Sequence, residues 1–150
     1  MSLIMSTDFY ELLKIYNMIQ RVQSLWLLAA VAVMAVFCVL PFGSVAGKAI
    51  EVASDIFVLV PALVSALLCL VAIFLYRSHG RQKAVIVASM AFAIISEAFA
   101  LVGVLVADGA GFSSLSWTLL LPPAAVVAQI AAWRGVNADQ RLLRSYDRLR

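Results

Sequence analysis

Glu97 is the only carboxylate or base inside any of the four long apolar runs of this 150-residue chain. Placing such a group near the centre of a bilayer costs about 2.5–3.5 kcal/mol on insertion scales, so it should face the interior of a helical bundle. Hydrocarbon favours the neutral carboxyl, and Glu97 is therefore expected to donate a hydrogen bond rather than stand as a bare charge. At 1.5 Å per residue it lies ~20 Å from the start of its run at Ala84. The same depth falls near Leu120 in the fourth run, beside Pro122 and Pro123, between Pro61 and Ser65 in the second, and close to Cys38 in the first. A layer of Cys38, Ser65, Glu97 and Thr118 is the candidate intramembrane polar site.

Two uses of that layer compete. In the structural one, a neutral Glu97 caps carbonyls freed near Pro122 and Pro123, because a proline has no N–H to offer Thr118 and Leu119. It would thereby tie helices three and four together. In the functional one, Glu97 binds a cation or relays a proton, as intramembrane carboxylates often do, although the runs hold no base to pair with it and no second acid to take a proton onward. Contact with a partner subunit is a third use. Other chemistry is thin. Cys38 and Cys69 fall at different depths and read as small apolar residues, and His79 stands alone in a loop, so no His/Cys/carboxylate set has metal spacing. No Gly-rich phosphate loop or Ser-His-Asp set can be assembled. No enzyme, cofactor or metal is expected.

The elements that must position Glu97 follow from composition. Hydrophobic residues make up 65% of the chain and charged ones 13%, with a mean hydropathy of +1.04. A soluble domain of this size could not hide so much apolar surface. The four runs, at residues 24–42, 56–76, 84–107 and 115–133, each approach the ~20 residues a helix needs to cross a bilayer. They lack the two-residue alternation of barrel strands. The first is too long and starts too far into the chain for a signal peptide. The fold class is therefore all-α: an integral membrane four-helix bundle, with a leader at residues 1–23, the bundle at 24–133 and a basic tail at 134–150.

Charge sets the orientation. Of the 11 basic residues only Lys48 falls between runs one and two, and the other ten lie before run one, between runs two and three, or after run four. The positive-inside rule places those segments, and both termini, in the cytoplasm. The net charge of +3 is thus a topology signal, and no nucleic-acid partner is expected. The tail at residues 137–150 reads as a short amphipathic helix with Asn137 or Asp139 as its cap. Its Arg141, Arg144, Arg148 and Arg150 are candidate contacts for anionic headgroups or a partner. The leader is also periodic, through Phe9, Leu12, Leu13, Tyr16 and Ile19, and reads as an interfacial helix or an extension of helix one. Small residues such as Ala62, Ser65, Ser89, Ala93, Ser96 and Ala100 suit close helix packing. Pro61 and Pro122 occupy similar places in helices two and four, which suggests either two proline kinks or a tandem repeat of hairpins.

The segment MIQRVQSLWLLAA from Met18 and the closing RLLRSYDRLR resemble the two ends of an uncharacterised Bacteroidetes family of small four-span proteins, domain of unknown function 4293. In that family the chain usually opens at the Met-Ile-Gln-Arg stretch, so the leader of residues 1–17 departs from its pattern and leaves the start of translation open between Met1 and Met18. The resemblance implies a multi-pass protein of a bacterial inner membrane and carries no activity with it. Function is expected to be that of an accessory or scaffold subunit, partnered by the bilayer and by itself or a larger membrane complex. The alternative is a minimal transporter or ion-coupled protein using Glu97.

Overall fold

The computed structural model describes residues 2–107 and 111–149, leaving aside the side chains of residues 2–6, 16 and 19. Four helices dominate: α1 (Ser2–Val39), α2 (Ile56–Phe74), α3 (His79–Val106) and α4 (Leu121–Asp147). All four are long and apolar enough to cross a membrane. They follow one another around the bundle, α2 packing most closely on α3 and α1 on α4, with looser seams between α1 and α2 and between α3 and α4. Hydrogen bonds from Ser96 to the Val58 carbonyl, Ser65 to the Ser89 carbonyl and Gln82 to the Ala72 carbonyl fix α2 and α3 as antiparallel.

Side-chain size is sorted in the sense a membrane favours. Half of the buried residues of α2, α3 and α4 are alanine or serine, and α1 inserts Leu27, Met34 and Phe37 against them. Large apolar side chains such as Phe57, Leu67, Ile94 and Val102 point outward. Close approach of small residues replaces the hydrophobic drive that lipid removes. On α4 the inward stripe is Ala125, Ala128 and Ala132, whereas Ala124 is exposed.

Several boundaries differ from those the sequence suggests, each for a local reason. Of the two readings of the leader, the extension of helix one holds: α1 continues unbroken from Ser2. Pro41, with no N–H to donate and a restricted preceding residue, ends α1 at Val39, and residues 41 and 42 leave the first span for a strand. Strands β1 (Pro41–Val45) and β2 (Lys48–Glu51) pair as an antiparallel hairpin. Its two turn residues, Ala46 and Gly47, both have positive φ (51° and 77°), which matches the right-handed twist of paired strands. A lone hairpin is marginal in water. This one is held by the bridge from Gly43 to Leu115, by Ser116 N donating to the Phe42 carbonyl (3.2 Å), and by the buried Phe42.

The fourth helix starts later and ends later than expected. Residues 117–120 form a 3-10 turn, and α4 then opens with Pro122 and Pro123 in its first turn, where a missing N–H costs nothing. Pro122 is thus a helix start, whereas Pro61 lies inside α2. The tandem-repeat resemblance between them is lost. At the other end α4 runs on to Asp147, so the tail is no separate helix and neither Asn137 nor Asp139 caps one. From residue 141 to residue 149 every side chain is exposed, including Arg141, Arg144 and Arg148. Arg150 lies outside the described residues.

Candidate functional site

The bundle centre holds a cluster of neutral polar groups that differs from the expected layer. Gln129, fully buried on α4, donates from Nε2 toward Ser65 Oγ (3.3 Å) and Cys69 Sγ (3.1 Å) on α2. Ser65 Oγ donates to the Ser89 carbonyl (2.8 Å), Ser89 Oγ to the Ile86 carbonyl (2.7 Å), and Cys69 Sγ to Ser89 Oγ (3.5 Å). Three helices are stitched together by groups that neither ionise readily nor act as acid or base at neutral pH. Interhelical bonds of this kind average about 0.6 kcal/mol. Gln129→Leu is accordingly expected to lower the melting temperature in detergent by only a few degrees. Gln129→Glu, which puts a carboxyl in the same closed space, should cost several times more. Equal losses for the two would show that the cluster matters by shape alone.

The four expected members do not meet. Thr118 is at the hairpin end, where its hydroxyl donates to the Pro41 carbonyl (2.5 Å). It secures the hairpin and does not reach Glu97. Cys38 is buried in the apolar core. Ser65 belongs to the Gln129 cluster. Glu97 stands apart from all three, because the residue before it, Ser96, faces α2 and one step along a helix turns the side chain by ~100°.

That turn takes Glu97 to the rim of the bundle. It is half-buried and lines a groove of about 240 Å³ in the looser α3/α4 seam, between Ala93 and Ile94 on one side and Pro122, Pro123 and Val126 on the other. A helix start normally offers free backbone amides to a nearby carboxyl. Here two of them are proline nitrogens with no hydrogen. Glu97 Oε2 is out of contact with solvent and has no hydrogen-bond partner among the described residues. The expected cap on proline-freed carbonyls is therefore not made.

A second polar group lies at the opposite end, where α1 starts and α4 ends. His79 Nε2 and Asp139 Oδ2 are hydrogen-bonded at 2.6 Å, with the histidine side chain 13% exposed and the aspartate fully buried. Beside them Lys83 Nζ donates to Asn137 Oδ1 (3.4 Å) and stands 6.0 Å from the Trp133 ring centre. Gln82 Nε2 donates to the Ala72 carbonyl (3.1 Å). Residues 79–83 are the first turn of α3 rather than a loop, and this is what brings His79 onto α4. Two groups are too few to hold a metal ion, and among the described residues no third His, Cys, Asp or Glu joins them. Sequence reasoning missed the pair because its members are 60 residues apart. The i, i+4 spacing of His79 and Lys83 puts both on one face of α3, but nothing local pairs that face with α4.

A family model described as a domain of unknown function (DUF4293) matches residues 19–149. No curated protein and no solved structure matches the chain.

Proposed function

The chain belongs to the DUF4293 family, and from that premise we propose that it is an accessory or scaffold protein of a bacterial inner membrane, with both termini in the cytoplasm, that docks a partner helix in its α3/α4 seam. One observation carries this: Glu97 presents a buried carboxyl oxygen, without a partner among the described residues, in a groove at the rim of the bundle. A carboxyl left at that depth is costly. A helix bringing a hydroxyl, amide or cationic donor into the groove would remove the cost. The exposed tail helix, with Arg141, Arg144 and Arg148, is a further surface for a cytoplasmic partner or for anionic lipid. The partner is a second copy of the chain or a subunit of a larger complex.

The ion-coupled alternative uses the same side chain, and two substitutions separate the readings. Glu97→Gln keeps a hydrogen-bonding group but cannot ionise, so association measured by native co-purification or cross-linking in mild detergent should persist. Glu97→Leu should weaken it by roughly tenfold, the equivalent of a strong interhelical hydrogen bond of about 1.4 kcal/mol. If the leucine variant associates as tightly as the unmodified protein, docking through Glu97 is wrong. If glutamine alone abolishes function while association survives, Glu97 works by ionising.

A further inference from the structure

We propose that the seam between α1 and α2, at the end of the bundle where α1 starts and α4 ends, is a binding groove for one anionic phospholipid. The groove is separate from Glu97 and relies on the cytoplasmic placement of the termini. It is an open groove of about 770 Å³, within the usual range of small-molecule sites. It lies in one of the two looser seams of the bundle.

Its lining changes character along the helix axis. Asn17, Gln20 and Arg21 of α1 form the polar end. Further along, Leu25 and Leu28 face Ile73 and Phe74 of α2 across an apolar trough. From Arg21 to Leu28 is ~10 Å along the axis, about the step from headgroup phosphate to upper acyl chain. Tyr76 borders the polar end. Arg77 is held to it, with Nε 3.3 Å from the Tyr76 hydroxyl and the guanidinium 5.8 Å from the ring centre. Arg21 thus lines the groove, Arg77 stands one contact away on Tyr76, and none of the lining residues is acidic.

Charge and depth together name the occupant. Guanidinium forks recognise phosphate oxygens in pairs, and amide and phenol groups supply further donors to ester oxygens. A free phosphate would use only the polar end and leave the trough bare. A zwitterionic lipid would set its own cation beside Arg21 and Arg77. A lipid with a net negative headgroup and an acyl chain satisfies both ends. Tail arginines attract the same lipids diffusely, whereas this groove holds one molecule in a fixed place.

The test uses the full chain in mild detergent, titrated with phosphatidylglycerol or phosphatidylcholine, with bound lipid counted by native mass spectrometry. One phosphatidylglycerol should be retained in preference to phosphatidylcholine. Arg21→Gln and Arg77→Gln should each reduce that preference about fivefold, as expected for one basic residue near a headgroup. Leu28→Trp, which fills the trough, should lower retention of both lipids. An Arg144→Gln/Arg148→Gln variant should retain the bound lipid unchanged. The arginines and Leu28 are exposed, so folding should survive, and an unchanged melting temperature in lipid-free detergent confirms it. The proposal is overturned if the tail variant loses the lipid while the groove variants keep it. It is equally overturned if glycerol phosphate, which has no acyl chain, displaces the lipid at comparable concentration.

Discussion

Replacing His79 with alanine is expected to lower the thermal midpoint of the detergent-solubilised protein by roughly 6–12 °C, from a loss of about 3 kcal/mol and the usual scaling for a chain of this length. The aspartate it leaves behind has no access to solvent. Asp139 Oδ2 would lose its 2.6 Å partner, and Oδ1 already has none among the described residues. A carboxyl in that position is stripped of water and given nothing in exchange, which is why breaking one half of a buried pair costs more than the pair contributes. Asp139→Asn should be much milder, since the amide oxygen can still accept from the imidazole N–H. A double replacement of His79 and Asp139 by leucine removes both polar groups and should recover most of the loss. A His79→Ala variant that melts with the unmodified protein would show the pair to be idle.

The parts of this fold that a sequence displays are those set by composition over a long window. Runs of about twenty apolar residues favour helices, so four helices long and apolar enough to cross a membrane, and the all-α class, could be read directly. What escaped was set by single residues or by distant ones. The hairpin of residues 41–51 hid because its strands are four and five residues long and merge into the end of an apolar run. Its turn, Ala46-Gly47, carries no asparagine or aspartate to announce a positive φ. Pro41 and Pro122 were visible, but a proline ends a helix, starts one or bends one according to neighbours it meets only in three dimensions. Glu97 could be picked out as the odd residue in its run, and the groove is where it sits. Its direction was misjudged: the cost of a carboxyl in lipid argued for the interior, but the face that packs is the small-residue stripe of Ser89, Ala93, Ser96 and Ala100, and one residue of rotation separates that stripe from the rim. His79 and Asp139 looked like a loop residue and a cap, since nothing local records that α3 and α4 meet there.

A tight contact between α1 and α4 supplies the other large effect. A Cβ added at Gly135 would lie 2.8 Å from Gln23 Cγ and 3.4 Å from its Nε2, inside van der Waals contact. Gly135 sits within α4, where alanine would ordinarily be favoured by about 1 kcal/mol. The steric clash and the propensity gain therefore oppose each other in Gly135→Ala, and the net change should be small. Gly135→Leu has no such balance. It adds four carbons between two helices already in contact, and overpacking of this kind costs about 1–3 kcal/mol, with Gln23, 5% exposed, in the way. The midpoint should fall by several degrees. The partner substitution decides the cause. Gln23→Ala removes the obstructing side chain together with an Nε2 that is buried and unpartnered among the described residues, so Gln23→Ala/Gly135→Leu should regain most of the lost stability. If the double variant is as unstable as Gly135→Leu alone, the two helices are not held apart by this contact, and glycine is required at 135 for the backbone of α4 instead.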